Sequence, residues 1–327
     1  MAIKQNIDSN VWLQHAWRNR VQSLMLLAVM EGFLALLGWL LWGPPGILIL
    51  LMVGIMGTLF NQSISPWMVI RMYDAIPIRP HQAPMLDEVV SQLAERAELP
   101  QRPDLYYVPS RMLNAFAVGS PRESVIAVTD GLLRQLTLRE VAGVLAHELS
   151  HIRNNDLQVM GLADLFSRTT RLLSLVGQAL LLLNLPLIVF AEQTINWFAI
   201  ALLIFAPTIS AMAQLALSRT REFDADLNAV RLTGDPDGLA SALAKIEQIQ
   251  GGWLERIFMP GRRIPDPSLL RTHPENDERI ARLMALKPHL ADFDRSLLEE
   301  LPLNTTPLFD KPAVRRHPRW HSNGSWH

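Results

Sequence analysis

Four apolar runs constrain this chain before any other feature. Leu24–Trp42 is apolar except for Glu31, and Gly46–Phe60 follows after the turn Gly43-Pro-Pro-Gly46. Leu172–Ala191 and Ile195–Leu217 form a second pair. Each run approaches the roughly 20 residues that a helix needs to cross a bilayer, and Asn61–Trp67 extends the second toward the interface. Buried helices of a soluble core are the alternative, but four such runs leave too little chain to cover them. Composition agrees: 49% hydrophobic and 19% charged residues is an unusual balance for a soluble protein. Pro186 and Pro207 fall inside the second pair, where membrane helices tolerate the kinks better than soluble ones. Glu31 is costly in mid-span and predicts a polar partner inside the bundle more than a direct functional role.

Basic residues lie outside both hairpin turns, at Arg18 and Arg20, Arg71 and Arg79, Arg168 and Arg171, Arg219 and Arg221. The positive-inside rule then puts both termini and the central region in the cytoplasm and both short loops outside. No signal peptide fits, because the first apolar run starts late and lacks a small-residue cleavage site. The expected organisation is a cytoplasmic segment (1–21), a membrane hairpin (22–70), a catalytic region (71–171), a second hairpin (172–217), a second catalytic region (218–287) and a loose Pro-rich tail (288–327).

The soluble part carries His147-Glu148-Leu-Ser-His151 within an apolar helical run. Positions four apart share a helix face, so His147 and His151 can address one ion. Glu148 stands about 100° round from His147, beside the metal, where it can take a proton from water. Thr137-Leu-Arg-Glu140 reads as a capping box that starts this helix. A third ligand is required, and Ser218-Arg-Thr-Arg-Glu222-Phe-Asp-Ala-Asp226 offers Glu222. Asp226, one turn on, can accept the outer N–H of a ligating histidine. A charged helix face is the plain alternative for both acids. The set predicts one zinc ion per chain, zinc being favoured by His₂Glu ligation.

That placement constrains the path of the chain. Glu222 lies five residues past Leu217, so the metal should sit close to the cytoplasmic membrane surface. His151 precedes Leu172 by twenty-one residues, roughly 30 Å of straight helix, so the chain must bend, for instance near Gly161, lie along the surface, or carry Leu157–Phe166 into the bundle.

Around the motif, Met85–Ala97 reads as an amphipathic helix, and Asp104–Val108, Asn114–Val118 and Ser124–Val128 as strands with a turn at Gly119–Glu123. A strand beside such a metal site can take an extended peptide at its edge, but the pattern alone favours a plain core hairpin. Asp235 caps a helix opening at Pro236, Gly251–Leu269 is a Gly- and Pro-rich loop, and Thr272-His273-Pro opens a further helix. His273 is there either a cap or a stabiliser of charge on a substrate carbonyl.

Together these blocks resemble the HtpX-like family of membrane-embedded zinc metallopeptidases, relatives of the CAAX prenyl endopeptidases. The likeness rests on Asn114-Ala115-Phe116-Ala117, on His147–His151, on Ser218–Asp226, and on Thr272-His273-Pro with Arg279. It implies a mainly α polytopic membrane protein: four transmembrane helices plus a cytoplasmic gluzincin-like α+β domain with a small β-sheet. It also implies an endopeptidase of the bacterial inner membrane that cleaves misfolded or unassembled membrane proteins at the cytoplasmic face, in quality control under stress. Within the site it implies substrate backbone on the Asn114–Ala117 strand and transition-state support from His273 and Arg279.

Other classes recede. Net charge of −1 leaves no basic footprint for nucleic acid, and the absence of cysteine excludes disulfides and thiolate metal sites. The expected partners are protein substrates, membrane proteins above all, and the lipid bilayer; oligomeric state is open. A CAAX-type prenyl-protein endopeptidase differs in substrate, not chemistry, and four spans are few to enclose the chamber it needs. A non-catalytic scaffold stabilised by zinc is the remaining alternative, and the intact Glu148 argues against it.

Overall fold

The structure is a computed structural model that describes residues 9–60, 66–183, 197–250 and 276–286. Its elements are α1 (Ser9–Trp42), α2 (Pro44–Phe60), α3 (Pro66–Met72), β1 (Ile76–Pro77), α4 (Pro84–Arg96), β2 (Asp104–Val108), β3 (Ala115–Ser120), β4 (Glu123–Thr129), α5 (Asp130–Gln135), α6 (Leu138–Arg153), α7 (Asp156–Leu183), α8 (Trp197–Thr233), α9 (Pro236–Gln250) and α10 (Asn276–Ala285). The chain divides into two compact units, one of Met1–Ala16, Ser63–Leu157 and Arg221–His327, the other of Trp17–Gln62 and Gln158–Thr220. His273, the loop Gly251–Leu269, the tail from 288 and the end of the third apolar run lie outside the described residues.

The first unit is built on a four-stranded sheet in the order β1-β2-β4-β3. β2 and β4 run parallel, while β1–β2 and β3–β4 are antiparallel. Ser120 pairs with Glu123, so Pro121 and Arg122 form a two-residue hairpin loop. Gly119 has φ +113, and a side chain there would meet the Glu123 carbonyl. Pleating sends alternate residues to opposite faces. Leu105, Ala115, Ala117, Ile126 and Val128 join the core with α4, α6 and α9, and Tyr106, Phe116, Val118 and Ala127 pack with Val69 and Ile70 of α3. Val69 and Ile70 of α3 thus cover this face of the sheet.

The second unit contains the apolar parts of α1, α2, α7 and α8, with Leu34, Leu37, Leu50, Phe166, Ala206 and Leu217 in its core. α1 and α2 approach closely at Gly38 and Gly46, where a Cβ on either would fall within 2.4 Å of the other's carbonyl oxygen. Polar bonds link α7 to α8, from Ser167 Oγ to Gln214 Oε1 at 2.8 Å and from Ser174 Oγ to the Leu203 carbonyl at 2.6 Å. Small residues and such bonds hold helices together where no hydrophobic force acts between them. Large apolar side chains including Leu24, Leu48, Phe198 and Met212 stand outward, each more than 60% exposed. Among the described residues, two helices are long and apolar enough to cross a membrane, at Arg20–Trp42 and Trp197–Thr233, and Pro44–Gly54 is a shorter apolar helix.

The expected bend after the HExxH helix occurs earlier than Gly161. α6 ends at Arg153 and α7 begins at Asp156, with Asn155 between them at φ 54. Asn tolerates this left-handed conformation, which ends one helix and redirects the chain into the next.

Candidate metal centre

α6 holds its histidines on a firmly anchored helix. Thr137 and Glu140 complete the capping box, and Glu140 also accepts from Ser241 Oγ at 2.6 Å and Lys245 Nζ at 2.8 Å on α9. Arg139 pairs with Asp235 at the start of α9. Leu145, Leu149 and Ile152 are almost fully buried, each contributing about 1.5–3 kcal/mol of hydrophobic stabilisation. The polar side of the same helix presents His147 and His151 to Glu222 on α8.

His147 Nε2 lies 3.1 Å from His151 Nε2 and 3.3 Å from Glu222 Oε2, and His151 Nε2 lies 3.7 Å from Glu222 Oε1. The two rings meet edge to face, 4.7 Å between centroids. The opposite nitrogens are both held: His147 Nδ1 is 2.9 Å from Asp226 Oδ1, and His151 Nδ1 is 2.7 Å from Asp156 Oδ2. Each Nδ1 can donate to its carboxylate, which turns each Nε2 inward. Ligand bonds of about 2.0–2.2 Å in a tetrahedron require donor separations of about 3.3 Å. The three observed separations bracket that value, so the donor set fits a zinc-sized cation.

The surrounding charges point the same way. Burial opposes charging His147, but Asp226 and Glu222 outweigh it and lift its imidazole to about 10. Burial likewise opposes charging His151, and Asp156 drives it upward. The protein's own groups thus make this pocket attractive to positive charge. Burial works against ionising Asp226 too, yet Arg279 holds its carboxyl down at about 2.

Arg279, on α10, is buried and bonds Asp226 through Nε at 2.7 Å and through its second terminal nitrogen at 2.6 Å. A further guanidinium nitrogen lies 3.5 Å from Glu222. A terminal nitrogen also lies 3.4 Å from His147 Nδ1, so the guanidinium stands against the metal-facing cluster.

Glu148 points to the sheet, its Oε2 accepting the backbone N–H of Ala117 at 3.0 Å. Among the described residues β3 is an edge strand. The Asn114 carbonyl accepts from Thr129 N on β4, while the Ala117 N–H turns away from β4. Antiparallel alternation then directs Asn114, Phe116 and Val118 inward to β4 and Ala115, Ala117 and Gly119 to the outer edge. Of the four expected substrate residues, Ala115 and Ala117 turn their backbone to the outer edge, where the Ala117 N–H is taken by Glu148. Phe116 is turned to β4, with its ring packed 4.9 Å from Tyr73, and Asn114 is engaged with Thr129.

Asp156 and Arg221 escaped the sequence reading. Arg221 Nε donates to Asp156 Oδ1 at 2.6 Å, which fixes the carboxylate that holds His151. The signal was His151-Ile-Arg-Asn-Asn-Asp156, since Asn-Asn after a helix marks a reversal that returns the next acid toward the same face.

Comparison with known proteins bears on this site. Residues 80–287 match the sequence model described as Peptidase family M48. A protein named Protease HtpX homolog from Desulfatibacillum aliphaticivorans is 35% identical over 292 residues, covering 83% of this chain and 90% of its own. Proteins of the same name from Burkholderia mallei (strain SAVP1) and Burkholderia thailandensis are 34% identical, covering 81% and 82% of this chain and 96% and 97% of theirs. Among solved structures, the crystal structure of S. mikatae Ste24p aligns with TM-score 0.41 at 19% identity, over 83% of this chain and 66% of that one.

Proposed function

The chain belongs to peptidase family M48 and is a metallopeptidase, and we propose that it is a zinc-dependent endopeptidase of the bacterial inner membrane that cleaves membrane proteins in quality control. The observation that carries the reading is the convergence of His147, His151 and Glu222 beside a Glu148 carboxylate tied to an edge strand. His147, His151 and Glu222 would hold the metal. Bound zinc supplies Lewis-acid polarisation of water and of the scissile carbonyl.

The remaining work falls to the chain's own groups. Glu148 accepts the proton of the attacking water and returns it to the leaving amine. The Ala117 N–H fixes which carboxylate oxygen is free to do so. Asp226 and Asp156 keep the two Nε2 atoms turned inward, and Arg279 positions Asp226. The outer edge of β3 takes the substrate backbone as an added strand at Ala115 and at the Ala117 carbonyl. His273 supports developing charge on the scissile carbonyl.

Four spans with both termini and the site cytoplasmic would bring this chemistry to the membrane surface. The apolar outward faces of α1, α2, α7 and α8 support that placement. Purified protein should cleave casein or a model membrane protein in detergent, and a zinc chelator should stop it. Undiminished cleavage after complete removal of metal would refute the mechanism.

A further inference from the structure

Glu31 is unexplained by the reaction above. It stands eleven residues from Arg20 and eleven from Trp42 in the apolar stretch of α1, about 16 Å of helix from either end. The partner expected inside the bundle is missing: among the described residues, no hydrogen bond or ion pair engages its carboxyl. Instead the carboxyl opens into a groove of about 320 Å³ whose other walls include Leu27, Leu51, Leu162 and Phe166. Gly54 completes the slot. A Cβ on Gly54 would fall 2.5 Å from Glu31 Oε2 and 2.6 Å from Oε1, so only glycine lets the carboxyl rest on the α2 backbone.

A carboxyl in mid-span, lining an apolar groove, is costly in lipid unless something brings it a donor. Depth identifies that donor. The hydrocarbon core is about 30 Å thick, so a headgroup amine or phosphate stays about 15 Å away from its centre. A side chain carried by another transmembrane helix reaches it directly.

We propose that Glu31 and the groove beside it bind a hydrogen-bond-donating side chain, such as lysine or asparagine, in the middle of a substrate's transmembrane segment. The site would select membrane segments that expose a polar group, as unassembled proteins do, and hold them while the chain is cut elsewhere. This rests on the proposed action on membrane proteins and on α1 crossing the bilayer.

The test uses the full chain in liposomes with a single-span test protein carrying either Lys or Leu at mid-span. Wild type should cleave the Lys form with a kcat/KM about threefold to twentyfold higher, the range that interhelical hydrogen bonds give. Glu31→Leu should bring that ratio to one, and Glu31→Gln should keep part of it. A ratio unchanged in Glu31→Leu, or no preference in wild type, overturns the proposal. A second readout needs neither turnover nor a change at Glu31. The chain has no cysteine, so Leu51→Cys in a Glu148→Gln background can be joined by a bifunctional maleimide to a cysteine beside the test lysine. Joining should fall when that lysine becomes leucine. Equal joining to both forms, or joining between two copies of this chain, overturns it. Labelling of Leu51→Cys by a water-soluble maleimide in intact liposomes would defeat the spanning reading itself, and failure of wild type to cleave either form or casein would defeat the peptidase reading while leaving the joining result standing.

Discussion

The Ala117 N–H donates to Glu148 Oε2 across 3.0 Å, joining the edge strand to the histidine-bearing helix. The bond turns one carboxylate oxygen toward β3 and leaves the other for the reaction. It also couples the placement of a peptide added to that edge to the orientation of the group that would activate water.

Ala117→Pro removes this donor. Because the Ala117 N–H points away from β4, proline there spares the ladder and the fold should persist. Cleavage should fall by about tenfold to a hundredfold through misplacement of Glu148 and of the substrate strand, with zinc content unchanged. Normal turnover in this variant, measured beside metal per chain, would return β3 to a purely structural role.

Asp156→Asn weakens the carboxylate that holds His151 while keeping its size. Zinc affinity should drop by about 10- to 100-fold, as for other groups behind a metal-bound histidine. Competition with a chromophoric chelator measures it, and an affinity equal to wild type would show that His151 needs no such support.

Much of this site was legible in the chain because helical periodicity converts spacing into geometry: His147 with His151, and Glu222 with Asp226, are each one turn apart. Strand alternation likewise located β2 at its observed bounds. What periodicity cannot supply is tertiary choice. Arg279 meets Asp226 from fifty-three residues away, so its partner was invisible in the sequence. Asp156 required knowing that Asn155 would turn left-handed. The order of the strands, which leaves β3 at an edge, depends on a parallel crossover between β2 and β4 that no local pattern announces.

Glu140 should make stability depend on pH away from the metal. Burial opposes its ionisation, but Lys245, Ser241 and the Thr137 N–H outweigh that and hold the carboxyl below its ordinary 4.5. A depressed folded value means that this contribution is complete above about 4.5 and is lost as pH falls through the folded value. Glu140→Gln should melt lower at neutral pH, by a loss of about 1–2 kcal/mol, and lose less than wild type on acidification below 4.5. Parallel melting curves for the two proteins would expose the assignment as mistaken.

Topology has its own test. Reporter fusions after Pro45 and after Gln193 should report the outside, and fusions after Pro100 and after Gly252 the cytoplasm. A cytoplasmic signal at Gln193 would rule out the four-span arrangement.

Two acids of the centre should fail in different ways. Glu222 Oε2 lies 3.3 Å from His147 Nε2 as one of three converging donors, whereas Glu148 turns toward β3. Glu222→Ala should therefore lose zinc and melt lower, since bound metal contributes to folding. Glu148→Gln keeps its size and a polar group but cannot take a proton. It should bind zinc nearly stoichiometrically and keep its melting temperature while losing about 10²–10⁴-fold in rate. It should also accumulate as intact chain if wild type cleaves itself during purification. Zinc per chain by atomic emission, set beside a cleavage rate for each variant, separates the two roles. Near-normal cleavage by a zinc-loaded Glu148→Gln protein would mean that another group moves the proton, even with the metal site placed correctly.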